Sequence, residues 1–371
     1  MHILVCSSYM PPKLVALFRF ASEAANNFMH RLIAQLDMRC DVSILSYYGF
    51  PKERKWTRDV EEEIASKGIS FVTRKEIPLL IFSAALYQWK FFWSLRKKEW
   101  VILYNYTWIG YGVFLFSRFW GVKTALILAD HSPADIPMSF VRRVIARKAV
   151  HDLRCFDALI VLSRHLYETV PHERKLFFPG AINMQDFADF SLPQGAQCIF
   201  LYSGLLNEVT GIDLYLQAIR RFEKDDVLFL FTGRGPMEEE IARLAEEDVR
   251  VRYEGFLARE DYYALLNRAN VVVNPRNMNL PENKNNFPSK VMEYLASGRN
   301  MVSTRFMYWE EFPKTIYFCD ATAEGIEEGL QKAYADWQAG ISSFSVHRDF
   351  AAQYDWRIQT DRLLAFLEES Q

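Results

Sequence analysis

The feature that most constrains the fold of this chain is a strand–helix–strand pattern that occurs at its start and begins again in its second half. The opening HILVCSS is a short apolar run that ends in small residues, which is typical of a buried β-strand. Apolar residues at helical spacing follow from about Ala21 to Gln35, and CDVSILSYY is typical of a second strand. This order forms a βαβ unit and therefore predicts a parallel sheet. Further strands are expected at residues 100–106, 124–130 and 157–163.

The pattern restarts after Gly180–Gly195, a segment with Gly and Pro but no periodicity. Strands are expected at residues 197–204, 227–233, 249–255, 270–275 and 301–304, with helices between them. The sequence therefore predicts an α/β protein with two doubly wound parallel-sheet domains, residues 1–185 and 186–350, followed by a helical segment over 351–371. Ligands of open parallel sheets bind beyond the carboxyl ends of the strands, so we expect the two domains to face each other across a ligand-binding cleft.

Charge and cysteine usage exclude several classes of protein. The 371 residues contain 44 Lys and Arg against 46 Asp and Glu, a balance that excludes bulk electrostatic binding of nucleic acid. The cations are unevenly placed, because residues 1–186 hold 25 Lys and Arg against 17 Asp and Glu. Five widely spaced cysteines without a CxxC pair favour free thiols in a reducing cytosol. We expect no signal peptide, and no apolar run of about 20 residues could span a membrane.

The segment FPSKVMEYLASG is the strongest candidate for a binding site. A helix is expected to begin at Ser289–Lys290, where the amides of a first turn favour an anion. A lysine in a first turn opposes the helix dipole, and a bound diphosphate would explain Lys290 there. Glu293 lies one turn further on the same face, where its carboxylate could accept hydrogen bonds from a ribose diol. The alternative is an ordinary capped helix with a surface ion pair between Lys290 and Glu293.

Other candidate residues follow predicted strands. The turn at Gly204 lets a backbone approach a ligand closely, and Arg234 in FTGRGP is a spare cation at a strand end. In the N-terminal half, LILADHSPAD places Asp130 and His131 at the carboxyl end of a strand, toward the expected cleft. The alternatives are a solvated arginine at position 234 and a structural histidine at position 131.

A basic and aromatic region lies between Ile77 and Arg154, with 11 Lys and Arg against four acidic residues. Within it, ALYQWKFFWSLRKKEW mixes aromatic residues with cations. A second segment adds four cations at helical spacing: Arg142, Arg143, Arg147 and Lys148. Such mixtures favour the headgroup region of an anionic membrane, so we predict attachment to a membrane surface. The alternative is a helix whose aromatic side chains pack into the core.

Taken together, the motifs resemble a known family. FPSKVMEYLASG, the Pro-Pro after the first strand, FDALIVLS, LYSGLLNEVTGIDLYLQAI, FTGRGPMEEEI and YEGFLAREDYYALLNRANVVVNP occur in the order found in glycosyltransferase family 4. These are retaining sugar transferases with two Rossmann-like domains (the GT-B fold), and the pattern is similar to the branch that assembles bacterial surface polysaccharides. The resemblance covers nearly the whole chain. It implies transfer of a sugar from a nucleoside-diphosphate sugar without a metal ion or other cofactor, and a last helix that crosses back to the first domain.

The resemblance also implies roles for single residues. Glu293 matches the second Glu of the family's E-x7-E motif, which binds the nucleotide ribose, whereas Asn285 stands where the first Glu contacts the donor sugar. Phe256 lies in the turn that holds the base, unless it is a core residue. His131 matches a histidine that approaches the donor sugar. We therefore predict a catalytic group of His131, Asp130 and Asn285, and a donor-binding group of Gly204, Arg234, Phe256, Ser289, Lys290 and Glu293.

The chain also departs from the family pattern. Leu205 or Leu206 and Thr210 replace an Arg and a Lys that clamp the diphosphate, so Lys290 and the amides of its helix must carry more of the charge. Loss of the first Glu keeps a second hypothesis open, a transferase-like protein that binds nucleotide or glycan without catalysis. A dinucleotide-binding oxidoreductase is disfavoured, because the first strand ends in SSYMPP rather than in G-x-G-x-x-G. We expect a glycan or lipid-linked acceptor in the N-terminal domain, no nucleic-acid partner, and a position on the cytoplasmic face of the bacterial inner membrane.

Overall fold

The structure, a computed structural model, describes residues 1–11, 23–48, 58–66, 68–73, 80–105, 112–129, 151–280, 283 and 289–369. The chain divides into two compact units. The N-terminal unit comprises Met1–Gly180 together with Trp356–Gln371, and the C-terminal unit comprises Ala181–Asp355. The divisions therefore follow residues 180 and 355, where the sequence predicts 185 and 350.

The N-terminal unit is built on a parallel sheet. Its strands are β1 (His2–Ser7), β2 (Asp41–Tyr48), β3 (Ile69–Thr73), β4 (Trp100–Tyr104), β5 (Lys123–Leu128), β6 (Ala158–Val161) and β7 (Lys175–Phe177). They lie in the order β3-β2-β1-β4-β5-β6-β7 and pair in parallel. Consecutive residues of β1, β4 and β6 are buried, as expected of strands that are covered on both faces.

Six described helices accompany this sheet. They are α1 (Glu23–Asp37), α2 (Arg58–Ser66), α3 (Leu80–Ser94), α4 (Val113–Trp120), α5 (Arg164–Thr169) and, from the end of the chain, α12 (Trp356–Glu368). Buried Met29, Leu32 and Leu36 recur at helical spacing along α1. Trp356 at the start of α12 packs on Phe28 of α1, with ring centroids 5.4 Å apart. The last helix is therefore part of the N-terminal core.

The C-terminal unit has a second parallel sheet. Its strands are β8 (Cys198–Leu205), β9 (Val227–Arg234), β10 (Val251–Tyr253), β11 (Val271–Asn274), β12 (Asn300–Thr304) and β13 (Tyr317–Cys319). They lie in the order β10-β9-β8-β11-β12-β13 and pair in parallel. The direction of winding reverses between β8 and β11, which are neighbours in the sheet but not in the chain. In open α/β sheets, such a switch point is where ligands bind.

The helices of the C-terminal unit bury the two faces of its sheet. They are α6 (Ile212–Arg221), α7 (Glu238–Glu247), α8 (Arg259–Arg268), α9 (Ser289–Ser297), α10 (Ala323–Gln338) and α11 (Phe344–Ala352). Side chains of α6 and α10 pack on one face with Phe200, Phe229 and Phe231. Side chains of α8 and α9 pack on the other face with Leu201 and Leu230. Alternate residues of β8 and β9 thus point into two separate apolar layers.

The predicted fold class, two doubly wound parallel-sheet domains, is confirmed. All ten predicted strands are present, but the sequence analysis missed β3, β7 and β13. β7 and β13 have three residues each, which is too short for an apolar run or an alternation to stand out. Among the described residues, no helix is both long enough and apolar enough to cross a membrane.

Candidate functional site

The candidate site lies at the carboxyl edge of the C-terminal sheet, where β8 and β11 end. The two strands pair through Phe200 with Val271 and Leu201 with Val272. Beyond these pairs, β8 runs on to Leu205, and β11 ends at Asn274. Helix α9 follows β11 in the chain and carries the predicted residues Lys290 and Glu293. The predicted donor-binding helix therefore belongs to the switch point of the sheet.

Ser203, near the end of β8, ties two helices to this edge. The backbone N–H of Ser203 donates to the Tyr294 hydroxyl of α9 at 3.0 Å, and that hydroxyl donates to the Ser203 carbonyl at 3.2 Å. The Ser203 hydroxyl donates to the Tyr262 hydroxyl of α8 at 3.1 Å. Tyr294 is buried, so these bonds satisfy polar groups that have lost contact with water. The positions of α8 and α9 at the strand end are thereby fixed.

Glu293 is held at the outer end of this network. The Tyr262 hydroxyl donates to Glu293 Oε2 at 3.2 Å, and Lys290 Nζ lies 2.6 Å from the same oxygen. Lys290 Nζ also lies 4.3 Å from the centre of the Tyr262 ring, within the range of a cation–π contact. Burial, and secondly the charge of Glu293, raise the pKa of Tyr262 well above its usual value. Tyr262 therefore stays a hydrogen-bond donor to the carboxylate.

The surface ion pair considered as the alternative is thus present between Lys290 and Glu293. It is more than a solvated pair, because the Glu293 side chain is 17% exposed and is bonded through Tyr262 to Ser203. The Lys290 side chain is 38% exposed. A carboxylate and a cation are therefore both fixed and both accessible at the strand edge.

Glycine turns bring bare backbone to the same edge. Gly204 and Gly233 occupy paired positions in β8 and β9 at φ of 149° and 139°. A Cβ on Gly233 would lie 1.8 Å from the Gly204 carbonyl oxygen, so a side chain is excluded there. The loop after β8 is closed on itself, since the Thr210 hydroxyl donates to the Leu205 carbonyl at 2.6 Å. Leu206 is buried and apolar, and the Thr210 hydroxyl already donates its proton to the Leu205 carbonyl. Neither residue therefore supplies charge to a ligand.

Arg234 and Phe256 lie together at the end of β9. The Arg234 guanidinium is 4.3 Å from the centre of the Phe256 ring. Phe256 is 64% exposed, so the interpretation of Phe256 as a core residue is wrong. Glu238 accepts the Gly235 N–H at 2.7 Å, and this bond is the main reason that the pKa of Glu238 is lowered. The end of β9 thus presents a cation and an aromatic ring, and the Glu238 carboxylate fixes the turn that follows the strand.

Several predicted residues lie outside the described part of the chain: Asp130, His131, Asn285, Arg142, Arg143, Arg147 and Lys148. Helix α9 begins at Ser289 as predicted, but the side chain of Ser289 also lies outside the description. Within the described ranges, no three His, Cys, Asp or Glu side chains gather closely enough to hold a metal ion.

Sequence analysis missed three residues of the network, Ser203, Tyr262 and Tyr294. Tyr262 and Tyr263 stand side by side in α8, and the apolar spacing of that helix does not say which of them faces the strand end. The partner of Tyr262 is 31 residues away in the chain. The small polar residue directly before Gly204 is the one sequence signal that marks Ser203, because strand-end residues next to a glycine turn lie near a bound ligand.

A second surface, which the membrane prediction concerns, lies on the N-terminal unit. Its exposed apolar side chains, called the aromatic face below, are Trp89 and Trp93 of α3 and Leu115 and Phe119 of α4. Phe92 joins the two helices, with its ring 5.2 Å from that of Phe119. Phe91, which the membrane prediction included, is 1% exposed and belongs to the core. Helix α3 therefore divides its aromatic residues between the core and the surface: the alternative of packing into the core holds for Phe91, and membrane attachment stays a prediction.

Comparison with known proteins agrees with this geometry. Residues 197–336 match the protein family described as Glycosyl transferases group 1. The match begins at β8, includes the switch point and α9, and ends within α10. A search by sequence among curated proteins finds no significant match.

Solved structures share the fold along the whole chain. A glycosyltransferase from Rickettsia africae ESF-5 is 11% identical, with a TM-score of 0.70 over 99% of this chain and 98% of that chain. HepE from Anabaena, solved in complex with UDP, is 12% identical, with a TM-score of 0.70 over 100% of both chains. The lipopolysaccharide outer core galactosyltransferase WaaB, in its apo form, is 11% identical, with a TM-score of 0.67 over 100% of both chains.

The chain therefore has the two-domain, parallel-sheet fold (GT-B) that these solved glycosyltransferases share. The family match is more specific: residues 197–336 match the Glycosyl transferases group 1 family, which confirms the predicted resemblance to these sugar transferases.

Proposed function

We propose that this protein transfers a sugar from a nucleoside-diphosphate sugar to a hydroxyl of a growing glycan in bacterial polysaccharide synthesis, with retention at the anomeric carbon. The observation that carries the proposal is the bonded series Ser203–Tyr262–Glu293–Lys290 at the switch point of the C-terminal sheet. HepE, which has the same fold, is solved with UDP, and also with UDP and glucose. A nucleoside diphosphate is therefore the ligand class that the site and its relatives support best.

In this proposal each group at the strand edge has one task. Glu293, fixed by Tyr262, accepts hydrogen bonds from the ribose hydroxyls. Lys290 and the first-turn amides of α9 bind the diphosphate, and the bare backbone at Gly204 lets the diphosphate approach closely. Arg234 and Phe256 lie beside the base. Asp130, His131 and Asn285 remain the predicted catalytic residues near the donor sugar.

The transfer breaks the bond between the anomeric carbon and the diphosphate oxygen and forms a bond from the same carbon to the acceptor oxygen. The electron pair of the broken bond stays on the diphosphate, and the acceptor hydroxyl passes its proton to the departing diphosphate oxygen. Fixed positive charge at the leaving group stabilises this transition state. We propose that side-chain cations and helix amides supply that charge, without a resident metal or cofactor.

We propose further that the acceptor is lipid-linked and that the aromatic face attaches the protein to the cytoplasmic side of the inner membrane. Trp89 and Phe119 are 62% and 69% exposed, which is unusual for side chains of this size. Exposed Arg96 and Lys97 follow α3, and exposed Arg118 lies next to Phe119. Exposed aromatic residues beside cations suit an anionic headgroup layer, since the rings insert and the cations meet lipid phosphates.

Turnover separates this proposal from a non-catalytic binding protein. The purified protein is incubated with sugars of UDP, GDP and dTDP in the presence of a bacterial extract of lipid-linked glycans, and release of the nucleoside diphosphate is measured. We expect release with one of these donors, and transfer of its radiolabelled sugar to the lipid fraction. Tight nucleotide binding without release from any donor would instead support the non-catalytic alternative.

A further inference from the structure

The carboxyl edge of the C-terminal sheet carries a third cation, Arg276, to which the sequence analysis gave no role. It follows β11 after Pro275, so it lies on the β11 side of the switch point, opposite Gly204 of β8. Parallel strands end at one edge of a sheet, so Arg276 lies at the same edge as Lys290 and Glu293.

The backbone around Arg276 is fixed from both sides. The Thr304 hydroxyl of β12 donates to the Arg276 carbonyl at 2.7 Å. Asn283 Nδ2 donates both to the Asn277 carbonyl at 2.8 Å and to the Val209 carbonyl at 2.7 Å, which ties this segment to the loop before α6. A Cβ on Gly211 would lie 1.9 Å from the Pro275 carbonyl oxygen, so the two segments are in close contact. The position of Arg276 is therefore built into the fold.

The guanidinium of half-buried Arg276 has one nitrogen that is shielded from water and has no partner among the described residues. Its Nη1 is buried and makes no hydrogen bond to any described residue. Burial lowers the pKa of Arg276, and the nearby Tyr202 is the group that opposes this effect. The Tyr202 hydroxyl lies directly below the glycine turn, because a Cβ on Gly204 would be 3.2 Å from it. A partly buried cation with no counter-ion among the described residues is costly, and it is the state expected of a site that binds an anion.

The other cations of the edge are differently engaged. Lys290 is paired with Glu293, and Arg234 is exposed over the Phe256 ring. The loop after β8, LLNEVTG, contains an acidic residue and no cation. Arg299, a second arginine with unpaired buried nitrogens, precedes β12 and so lies at the opposite edge of the sheet. Among the described cations at this edge, Arg276 thus differs in having a buried guanidinium nitrogen without a hydrogen-bond partner.

We propose that Arg276 binds the diphosphate of the donor and holds the diphosphate as it leaves. This inference rests on the proposed function. Two N–H groups of the guanidinium would donate to phosphate oxygens, and the negative charge that develops when the bond to the anomeric carbon breaks would be neutralised there. Arg276, which follows β11, then binds the diphosphate in place of the loop after β8, which has no cation.

The test compares ligands that differ only in phosphate. Calorimetry first identifies which of UDP, GDP and dTDP the wild type binds, and then measures the matching nucleoside, monophosphate and diphosphate. R276Q should weaken the diphosphate by about ten- to a hundredfold and leave the nucleoside unchanged, because only charged hydrogen bonds are lost. R276K should recover part of the loss. R243Q, at an exposed position on α7, is the matched control and should change none of the three affinities.

The outcomes separate the two proposals. A wild type that binds none of the three diphosphates refutes the proposed function itself. If the wild type binds but R276Q binds the diphosphate as tightly, Arg276 is not a diphosphate ligand. If R276Q weakens nucleoside and diphosphate equally, its role is structural, and the inference is equally overturned.

Discussion

The strand edge of the C-terminal sheet and the aromatic face of the N-terminal unit use the same kinds of residue in opposite ways. At the strand edge, Tyr262 and Tyr294 are packed against the protein, and their hydroxyls bind Ser203 and Glu293. On the aromatic face, Trp89 and Phe119 turn their rings to the surface. Packed aromatic residues hold polar groups in one geometry and so suit a ligand of defined shape. Exposed aromatic residues can adapt to a surface that has no defined shape, such as a lipid headgroup layer.

The largest expected effect tests the strand edge through Glu293. E293A should lower turnover of the nucleotide sugar by at least about a hundredfold, because two charge-assisted hydrogen bonds to ribose are lost. The wild type should also bind the ribonucleoside diphosphate more tightly than its 2′,3′-dideoxy analogue, and E293A should bind the two alike. Calorimetry with both ligands measures this preference.

E246A is the matched control, since Glu246 is exposed on α7 and at a distance from the network. Thermal unfolding of both variants verifies that they are folded. Normal turnover by E293A, or an unchanged preference for ribose, would remove Glu293 from the site and with it the main observation behind the proposed function.

The sequence predicts the strands and helices that carry the two regions, but not the side-chain contacts within them. The central strands and α9 are predictable because long apolar runs, helical spacing and the Pro before Ser289 act locally. Tyr262 is not predictable, because its role depends on a bond to Glu293 in another helix. On α3, aromatic residues occur all round the helix, so its spacing cannot separate buried Phe91 from exposed Trp89. Arg276 was missed because only the folded structure shows that one of its guanidinium nitrogens is buried without a partner among the described residues.

A buried histidine should make the stability of the C-terminal unit depend on pH. His347 of α11 is 0% exposed; its ring contacts the Arg299 carbonyl at 2.8 Å and the Thr315 hydroxyl at 3.0 Å. Burial lowers its pKa to about 4 from 6.5. The unfolded chain therefore takes up a proton first, so the stabilising contribution is complete above pH 6.5 and is lost as the pH falls toward 4. Between pH 7 and pH 5 the C-terminal unit should lose about 2 kcal/mol of unfolding free energy through this group.

Urea unfolding followed at both pH values measures this loss. H347Q should be less stable than the wild type at pH 7 but should lose about 2 kcal/mol less on acidification, because Gln does not titrate. Equal acid losses in H347Q and wild type would show that other groups set the pH response.

Shortening the side chains of the aromatic face should have the next smaller effect, a loss of vesicle binding. W89A/L115A/F119A should reduce binding to vesicles containing phosphatidylglycerol by about tenfold, because three inserted side chains are shortened. V249A/I341A removes exposed apolar groups from the C-terminal unit and should bind like the wild type. Sedimentation at low and high salt measures both the apolar and the ionic contributions. A wild type that does not bind anionic vesicles even at low salt would refute membrane attachment.

The smallest expected effect separates the hydroxyl of a packed aromatic residue from its ring. Y262F keeps the ring under Lys290 and removes only the donor to Glu293. Glu293 retains Lys290, and the Ser203 hydroxyl can turn to Tyr294, 3.2 Å away, so few groups lose all their partners. We therefore expect about a three- to fivefold loss of affinity, equal for nucleoside and nucleoside diphosphate, because the change acts through the group proposed to bind ribose. Y263F, one residue along the same helix, is the control and should bind as the wild type does. A loss confined to the diphosphate would place Tyr262 with the phosphate ligands, and a loss as large as that of E293A would mean that the hydroxyl itself contacts the nucleotide.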